Sequence, residues 1–339
     1  MVNMKSLMNN ALLLVLITIF VSGCEDGSPA TGEDDRAEVQ RKRLSVGYIP
    51  IADHMLVGFA AEKDGEKFKN IELDPLRFTN YPTMSEALRS GDLDGAFLLA
   101  PLAFQLRLTG APVKLVLLGH RDGSGLVVDS SQDIGDIGQL AGETVAIPHR
   151  FSTNNFLLHM LSSRAGISEQ LDTIEAGPPE MFSALSAGSI GGYITAEPFL
   201  TEAENANVGE VLMFTSEIWK GHPDCVLVLS EDYIASNPEG VQELVTSMVK
   251  AAVGVEADRA GAAATAARFL GKDERLWLAA LGDRRRVTFE NLVPVNSELE
   301  RMQTYMAENM GLFPNLVAME ELVDASFAEK AYAELGLSY

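Results

Sequence analysis

The sequence predicts an α/β protein of two lobes, followed by a C-terminal region that is almost wholly helical. Short aliphatic and β-branched runs alternate with helical patterns over residues 44–229, which is typical of parallel strands covered by helices on both faces. The chain of 339 residues is long enough for two separate hydrophobic cores. From about 238 to 335 the period of the apolar residues favours helices alone.

The first half of the alternating region is predicted to contain four strands separated by helices. Thr83 and Glu86 have the spacing of a capping box, which predicts the start of the second helix. A turn rich in glycine and aspartate, at 91–95, leads into the third strand. The four predicted strands cover 44–48, 71–78, 96–99 and 113–118.

The second half repeats the same alternation. Residues 144–147 form a β-branched run of the kind that fills a strand buried on both faces, and Pro148 ends it because proline cannot donate to a sheet. The predicted strands are 144–147, 171–176, 191–196, 211–214 and 225–229, and the predicted helices between them are 153–165 and 179–187.

Two α/β halves require the chain to cross between lobes twice. We expect these crossings near residues 123–129 and 215–224. The first lobe would then comprise 44–124 together with 221–339, and the second lobe would comprise 125–220.

The N-terminus has the pattern of a secreted lipoprotein. Lys5 supplies a positive charge ahead of an apolar run at 11–21, which is short for a membrane span. The tetrapeptide VSGC at 21–24 resembles the lipobox of bacterial lipoproteins, so lipidation of Cys24 is expected, with the protein anchored to a bacterial membrane in the periplasm or at the cell surface. A plain secretory signal or an uncleaved anchor is the alternative. The predicted segments are a signal peptide at 1–23 and a flexible tether at 24–43.

The net charge and the cysteine content argue against several kinds of partner and against a disulfide. The 48 acidic residues against 26 basic ones, a formal charge of -22, argue against nucleic acid and against anionic membrane surfaces. With Cys24 lipidated, Cys225 has no disulfide partner, and its apolar neighbours predict a small buried hydrophobe. No cofactor is expected.

The segment 142–158 is the strongest candidate for ligand contact. After its strand come Ser152 and three further N-cap residues, which open a helix. Exposed N–H groups and the helix dipole at such a turn suit an anionic or carbonyl-bearing ligand. His149 and Arg150 lie in the same turn, and whether Arg150 binds a ligand anion or pairs with a carboxylate stays open.

Ligands of open α/β sheets bind at the carboxyl ends of strands, so we take polar and aromatic residues that follow the predicted strands as candidates. Four of the five histidines fall at such positions, although loops favour polar residues in any case. We expect Glu197 to orient a basic neighbour and Trp219 or His222 to cap the mouth. The candidate ligand-binding residues are Tyr48, Asp53, His54, Tyr81, Pro101, His120, His149, Arg150, Ser152, Thr153, Asn154, Glu197, Trp219 and His222.

Four motifs then resemble one known family over roughly residues 44–270. They are VGYIP…DH…AAEKDG at 46–65, SEAL…GDLDGA at 85–96, AEPF at 196–199 and NPEGVQELV at 237–245. Their order resembles the solute-binding proteins of bacterial ABC importers for nitrate, bicarbonate, taurine and alkanesulfonates, and thiamine-pyrimidine precursors. The resemblance implies a two-lobed periplasmic-binding-protein type II fold with a hinge, a small anionic or heteroaromatic solute, a membrane permease as partner and a monomeric state.

Two other functions remain as alternatives on the same fold. A metal or metal-chelate receptor would use His54, His120, His149 and His222 as imidazole ligands. An enzyme would use His54 or His149 as a general base, but no nucleophile elbow, Walker loop or dinucleotide fingerprint is present in the sequence. We therefore expect a protein without catalytic residues.

Overall fold

The computed structural model describes residues 41–339. The predicted signal peptide, Cys24 and all of the predicted tether except 41–43 lie outside the described residues. Lys42 and Arg43 belong to the first strand, so the predicted end of the tether was two residues too late. Among residues 41–339, no helix combines the length and the apolar character that a membrane span requires.

The strands alternate with helices over the first two thirds of the described chain, as the sequence predicts. The ten strands within residues 41–339 are β1 (Lys42–Tyr48), β2 (Ile71–Arg77), β3 (Gly95–Leu99), β4 (Val113–Leu118), β5 (Ser124–Asp129), β6 (Thr144–Ile147), β7 (Asp172–Glu175), β8 (Gly192–Ala196), β9 (Gly209–Phe214) and β10 (Cys225–Ser230).

Helices follow most of these strands, and the last hundred residues contain helices without a strand. The α-helices of the described chain are α1 (Met55–Asp64), α2 (Tyr81–Ser90), α3 (Ala100–Leu108), α4 (Thr153–Arg164), α5 (Pro178–Ser186), α6 (Phe199–Ala206), α7 (Glu231–Ser236), α8 (Pro238–Ala257), α9 (Arg259–Leu270), α10 (Glu274–Gly282), α11 (Asn296–Met310), α12 (Met319–Leu322) and α13 (Ser326–Glu334).

Side-chain caps explain where several helices begin. Ser152 accepts a hydrogen bond from the Asn155 amide at 2.9 Å and starts α4 at the predicted position. In α2 the cap is Asn80, whose side chain accepts from the amide of Thr83 at 3.0 Å. Thr83 was predicted to be the cap itself, so that prediction was wrong by one turn.

The strands form two five-stranded sheets, in the order β2-β1-β3-β10-β4 and β7-β6-β8-β5-β9. The α/β class is therefore confirmed, but the expectation of purely parallel sheets was wrong. Strand β10 runs antiparallel to β3 and β4, and β5 runs antiparallel to β8 and β9. Each of these strands is the first that the chain forms after it passes from one sheet to the other, so its direction is not fixed by a right-handed βαβ crossover.

The first passage between the sheets is shorter than predicted. Residues 124–129, expected as part of a crossing, form strand β5 at full length. Only 119–123 separate β4 from β5, and we call these residues the first connection. The second connection comprises 215–224, between β9 and β10.

The hydrophobic core is continuous from one sheet to the other. A single cluster of buried side chains includes Val46 and Leu227 of the first sheet and Tyr193 of the second. A smaller cluster with Leu126 and Val145 lies under the other face of the second sheet. The helix α11 contacts both α3 and α4, so the C-terminal region packs against elements that follow strands of both sheets.

Candidate functional site

The carboxyl end of β1, the end of β4 and the start of β10 bring a group of polar side chains together in the interior. Asp53 and His54 follow β1, His120 follows β4, and Asp224 precedes Cys225 at the start of β10. All of these residues are at most 2% exposed. With Tyr81, also 2% exposed, they form what we call the central polar cluster.

A carboxylate–imidazole pair forms one side of this cluster. His120 Nε2 lies 3.2 Å from Asp53 Oδ2, and both side chains are buried. Burial favours neutral His120, but the carboxylates of Asp53 and Asp224 outweigh it and raise the pKa of this histidine. Burial raises the pKa of Asp53, and the interaction with His120 opposes that shift. The backbone amide of Cys225 donates to His120 Nε2 at 3.2 Å.

The thiol of Cys225 lies between two donors. Its Sγ is 3.4 Å from His54 Nε2 and 3.5 Å from the hydroxyl of Tyr81. Because His54 Nδ1 accepts the amide of Ile49 at 2.9 Å, neutral His54 carries its proton on Nε2 and donates to the sulfur. Burial lowers the pKa of His54 and raises the pKa values of Cys225 and Tyr81, so all three side chains are held neutral. Cys225 is buried in the hydrophobic core, as predicted, but its sulfur also contacts polar side chains, which the sequence did not indicate.

The two connections are bonded to each other beside the cluster. Ser124 donates to Asp224 Oδ2 at 3.0 Å, and the amide of Asp122 donates to the carbonyl of His222 at 3.0 Å. Nδ1 of His222 lies 2.7 Å from the carbonyl of Trp219 and 3.0 Å from Asp122 Oδ1. These bonds fix the side chains of both connections.

Five buried polar atoms have no hydrogen-bond partner among the described residues, and three of them lie on the two connections. Buried polar atoms in proteins are nearly always paired, so such unpaired atoms need an explanation. A bound molecule that supplies the missing partners is one such explanation. The five atoms are Asp53 Oδ1, His120 Nδ1, Asn154 Nδ2, His222 Nε2 and Asp224 Oδ1.

Gly123 lets the first connection approach two of these atoms. Its φ of +98° is left-handed backbone, which suits glycine. A Cβ at this position would lie 2.7 Å from His120 Nδ1 and 3.3 Å from Asp53 Oδ1. The two unpartnered atoms therefore face the same stretch of bare backbone, and a side chain there would displace them.

Glu197, at the end of β8, is fully buried and forms an ion pair. Its Oε1 is 2.5 Å from Nη1 of Arg286, and its carboxylate also accepts from the amide and hydroxyl of Thr201 at 3.0 Å each. Burial raises the pKa of Glu197, and the guanidinium opposes that shift. The carbonyl of Glu197 accepts the amide of Ala52 at 2.8 Å, so the pair adjoins the segment that carries Asp53.

In the turn after β6, Arg150 and His149 contact the neighbouring β7 rather than a common ligand site. Arg150 is exposed, its guanidinium lies over the ring of Phe151 at 5.6 Å, and its amide donates to Glu175 at 3.1 Å. His149 Nε2 is 3.9 Å from Glu175, and burial lowers the pKa of this histidine. Arg150 lines a separate surface cleft of about 460 Å³ beside α4 together with His159. Arg150, for which the sequence left open an anionic ligand or a carboxylate partner, thus lies at the protein surface near β7.

The other predicted residues are distributed around the cluster with different roles. Ser152 and Thr153 are buried at the start of α4, where the Thr153 hydroxyl lies 3.8 Å from Met302 Sδ. Tyr48 stacks on Phe269 with ring centroids 4.6 Å apart, and Pro101 is buried in the first turn of α3. Trp219 is half-buried, with Arg301 over its ring at 4.4 Å.

Sequence reasoning did not select Ser124 or Cys225 as ligand contacts because it followed mainly the carboxyl ends of parallel strands. Strands β5 and β10 are antiparallel to their neighbours, so their amino-terminal residues lie at the edge where the other strands end. The signal available was the polar residue directly before each of these apolar runs. Arg286 lies 89 residues from its partner Glu197, and no local pattern indicates that pair.

A model of the NMT1-like family matches residues 37–271. Among curated proteins, the nitrate import ATP-binding protein NrtC of Synechococcus elongatus is 28% identical over 233 residues, which is 63% of this chain and 35% of that protein. The chain therefore spans about a third of the length of this relative.

Two solved structures share the fold over most of the chain. The ligand-binding component of an ABC-type import system from Staphylococcus aureus, solved with zinc bound, has a TM-score of 0.77 and 25% identity, covering 86% of this chain and 99% of that one. The periplasmic nitrate-binding protein NrtA from Synechocystis PCC 6803 has a TM-score of 0.81 and 16% identity, covering 87% and 89%. The predicted two-lobed periplasmic-binding fold is thereby confirmed.

Replacing Arg286 by alanine is expected to lower the free energy of unfolding by about 3–5 kcal/mol, because it leaves the carboxylate of Glu197 buried without its cation. Urea denaturation followed by circular dichroism measures this change. The matched control is Arg285→Ala, since that side chain is 66% exposed and pairs with Asp283 at the surface. Equal effects of the two variants would contradict a structural role for the buried pair.

The Asp53–His120 pair predicts a pH dependence of stability. The folded protein holds the His120 proton to higher pH than the unfolded chain does, because the folded pKa is raised. The pair therefore makes its full contribution to the free energy of unfolding below about pH 6.5. This contribution is lost as the pH rises through the pKa of His120 in the folded protein. His120→Gln should cost more unfolding free energy near pH 6 than near pH 9 in denaturant titrations.

His159→Gln is the matched control for this experiment. Burial lowers the pKa of His159, so its contribution changes with pH in the opposite direction. If the unfolding free energy lost in His120→Gln is the same near pH 6 as near pH 9, the interaction of His120 with Asp53 does not depend on the protonation of His120, and the prediction is wrong.

Proposed function

The chain belongs to the NMT1-like family, and on that premise we propose that it is the solute-binding component of an ABC importer of the nitrate, sulfonate and taurine type. It would capture a small solute outside the cytoplasm and deliver it to a membrane permease. The observation that carries this proposal is the set of five unpartnered buried atoms, three of which lie on the two connections.

The proposed mechanism is closure of a hinge at the two connections. The first lobe would comprise 44–124 with 221–339, and the second lobe 125–220. In the closed arrangement the five atoms lose water without gaining a partner, which costs free energy. A solute that bonds to them repays this cost only in the closed state, so binding shifts the population towards closure.

We propose further that the protein is not an enzyme. The S. aureus and NrtA structures that share its fold are described as ligand-binding and nitrate-binding. The candidate base His54 has Nδ1 occupied by the amide of Ile49 and carries its proton on Nε2, so it has no free lone pair for proton abstraction. The neutral thiol of Cys225 is a weak nucleophile.

A second candidate function is metal binding, and one observation favours it. Asp53, His120 and Cys225 each offer a ligand atom, and these atoms lie within 4.8 Å of one another. A carboxylate, an imidazole and a thiolate together suit zinc, and the related S. aureus structure contains zinc. The four-histidine set is less suitable, because one nitrogen of His54 and one of His222 are already engaged and His149 lies beside Glu175.

A thermal-shift screen against nitrate, bicarbonate, methanesulfonate, taurine and zinc tests solute binding. We expect one solute to raise the melting temperature, because a ligand of the native state stabilises it by mass action. The rise should disappear in His222→Gln, whose Nε2 is unpartnered, and persist in His159→Gln. A rise with zinc alone that Cys225→Ser abolishes would instead support the metal receptor. A rise that survives His222→Gln would contradict the proposed site.

We propose that lipidation of Cys24 anchors the protein to the membrane. Cells expressing Cys24→Ala should release the protein into the soluble fraction, whereas Cys225→Ser, the matched change at the other cysteine, should leave it with the membranes. Immunoblots of the two fractions measure this. Membrane retention of Cys24→Ala would contradict the anchor.

A further inference from the structure

The outer strands β2 and β7 of the two sheets lie far from the connections. The connections join β4 to β5 and β9 to β10, whereas β2 and β7 are the outermost strands on the other side of their sheets. Strand β2 lies three strands from β10, and β7 lies three strands from β5, which at about 4.8 Å per strand places each outer strand roughly 14 Å away. A rotation about the connections would therefore move the edges at β2 and β7 most.

The chain segments that follow these two outer strands touch each other. Thr79 follows β2, and Gly177 follows β7. A Cβ placed on Gly177 would lie 2.8 Å from the carbonyl oxygen of Thr79, which is closer than packed atoms of this kind come. Gly177 is buried, although all four residues of the preceding strand β7 are exposed. We call this approach of Thr79 and Gly177 the rim contact.

The backbone at Gly177 does not itself require glycine. Its φ of −70° and ψ of 153° lie in the extended region that every L residue adopts and that a residue before a proline, here Pro178, prefers. On its own side, the atoms nearest to an added Cβ belong to the carboxylate of Glu180, at the end of a flexible side chain. The obstacle that cannot rotate away is the carbonyl of Thr79.

Backbone hydrogen bonds hold both sides of the rim contact. The amide of Phe78, next to Thr79, donates to the carbonyl of Tyr48 at 2.8 Å. The carbonyl of Gly177 accepts the amide of Met181 at 3.0 Å in the first turn of α5. Among the described residues, no hydrogen bond joins Thr79 to Gly177 themselves. A side chain at 177 would therefore separate the two edges rather than reshape either segment.

We propose that the lobes part at the rim contact to admit the solute, and that the missing side chain of Gly177 allows them to close there. This inference rests on the proposed function and adds a residue that controls closure. A side chain at 177 leaves each lobe able to fold, because the backbone conformation is ordinary, but it holds the edges at β2 and β7 apart. The closed arrangement, in which the five unpartnered atoms are buried, then becomes less populated.

Distances between spin labels test this inference without any solute. In the chain with Cys24→Ser and Cys225→Ser, one nitroxide is attached at Glu72→Cys on β2 and the other at Thr173→Cys on β7, both exposed positions. Pulsed electron paramagnetic resonance measures the distance between the two labels. We expect Gly177→Val to shift this distance to longer values, and Gly177→Ala to shift it in the same direction by less.

Three controls separate closure from other effects. Gly135→Val adds the same side chain in an exposed loop of the second lobe, where the nearest atom to the added Cβ is 3.7 Å away, and should not change the distance. Glu180→Ala removes the carboxylate that accepts the Gly177 amide at 2.6 Å without filling the rim, and should not change it either. A label pair at Thr173 and Glu210, on opposite edges of the second sheet, should keep its distance in Gly177→Val because that lobe folds unchanged.

An unchanged distance between the labels on β2 and β7 in both Gly177 variants would overturn the inference. An equal shift in Glu180→Ala would also overturn it, as would a shift of the Thr173–Glu210 pair in Gly177→Val, because the effect would then arise within the second lobe. None of these outcomes depends on which solute binds, so the solute screen decides the importer function separately.

Discussion

The site depends on the direction of two strands. Because β5 and β10 run antiparallel to their neighbours, their first residues, Ser124 and Cys225, lie at the edge where the parallel strands end. The connections that precede them are therefore held in the interior, next to Asp53 and His120. Reversed, these strands would place their polar amino ends at the opposite edge of each sheet, and no buried cluster would form between the connections.

Burial of so many polar groups, in the central polar cluster and beside it, is tolerated because most of them are paired with one another. Asp53 has His120, Glu197 has Arg286, and the thiol of Cys225 has the donors of His54 and Tyr81. What remains is a small set of unpartnered atoms, three of them on the two connections and the others on Asp53 and Asn154. Under the proposed function, a solute would compete with water for these groups, and their uncompensated polarity would favour both capture and closure.

Local patterns in the sequence predicted much of the fold. The strand 144–147 was predicted at its observed bounds, and α4 within one residue. A β-branched run followed by N-cap residues is compatible with few structures other than a strand followed by a helix. Antiparallel β5 and β10 were missed because a strand's own residues do not encode its direction. Of the candidate residues that the sequence indicated, Asp53, His54, His120 and His222 are buried beside the connections, whereas Arg150 is exposed, a difference that no local pattern shows.

The accessibility of Cys225 measures hinge opening most directly. In a Cys24→Ser variant, Cys225 is the one remaining cysteine of the sequence, and its side chain is fully buried in the structure. If the two lobes open about the connections, the thiol should react with a disulfide reagent in native buffer at a rate that low urea concentrations do not change, because local opening exposes little new surface. Reaction only at the rate of global unfolding, rising steeply with urea, would contradict the account.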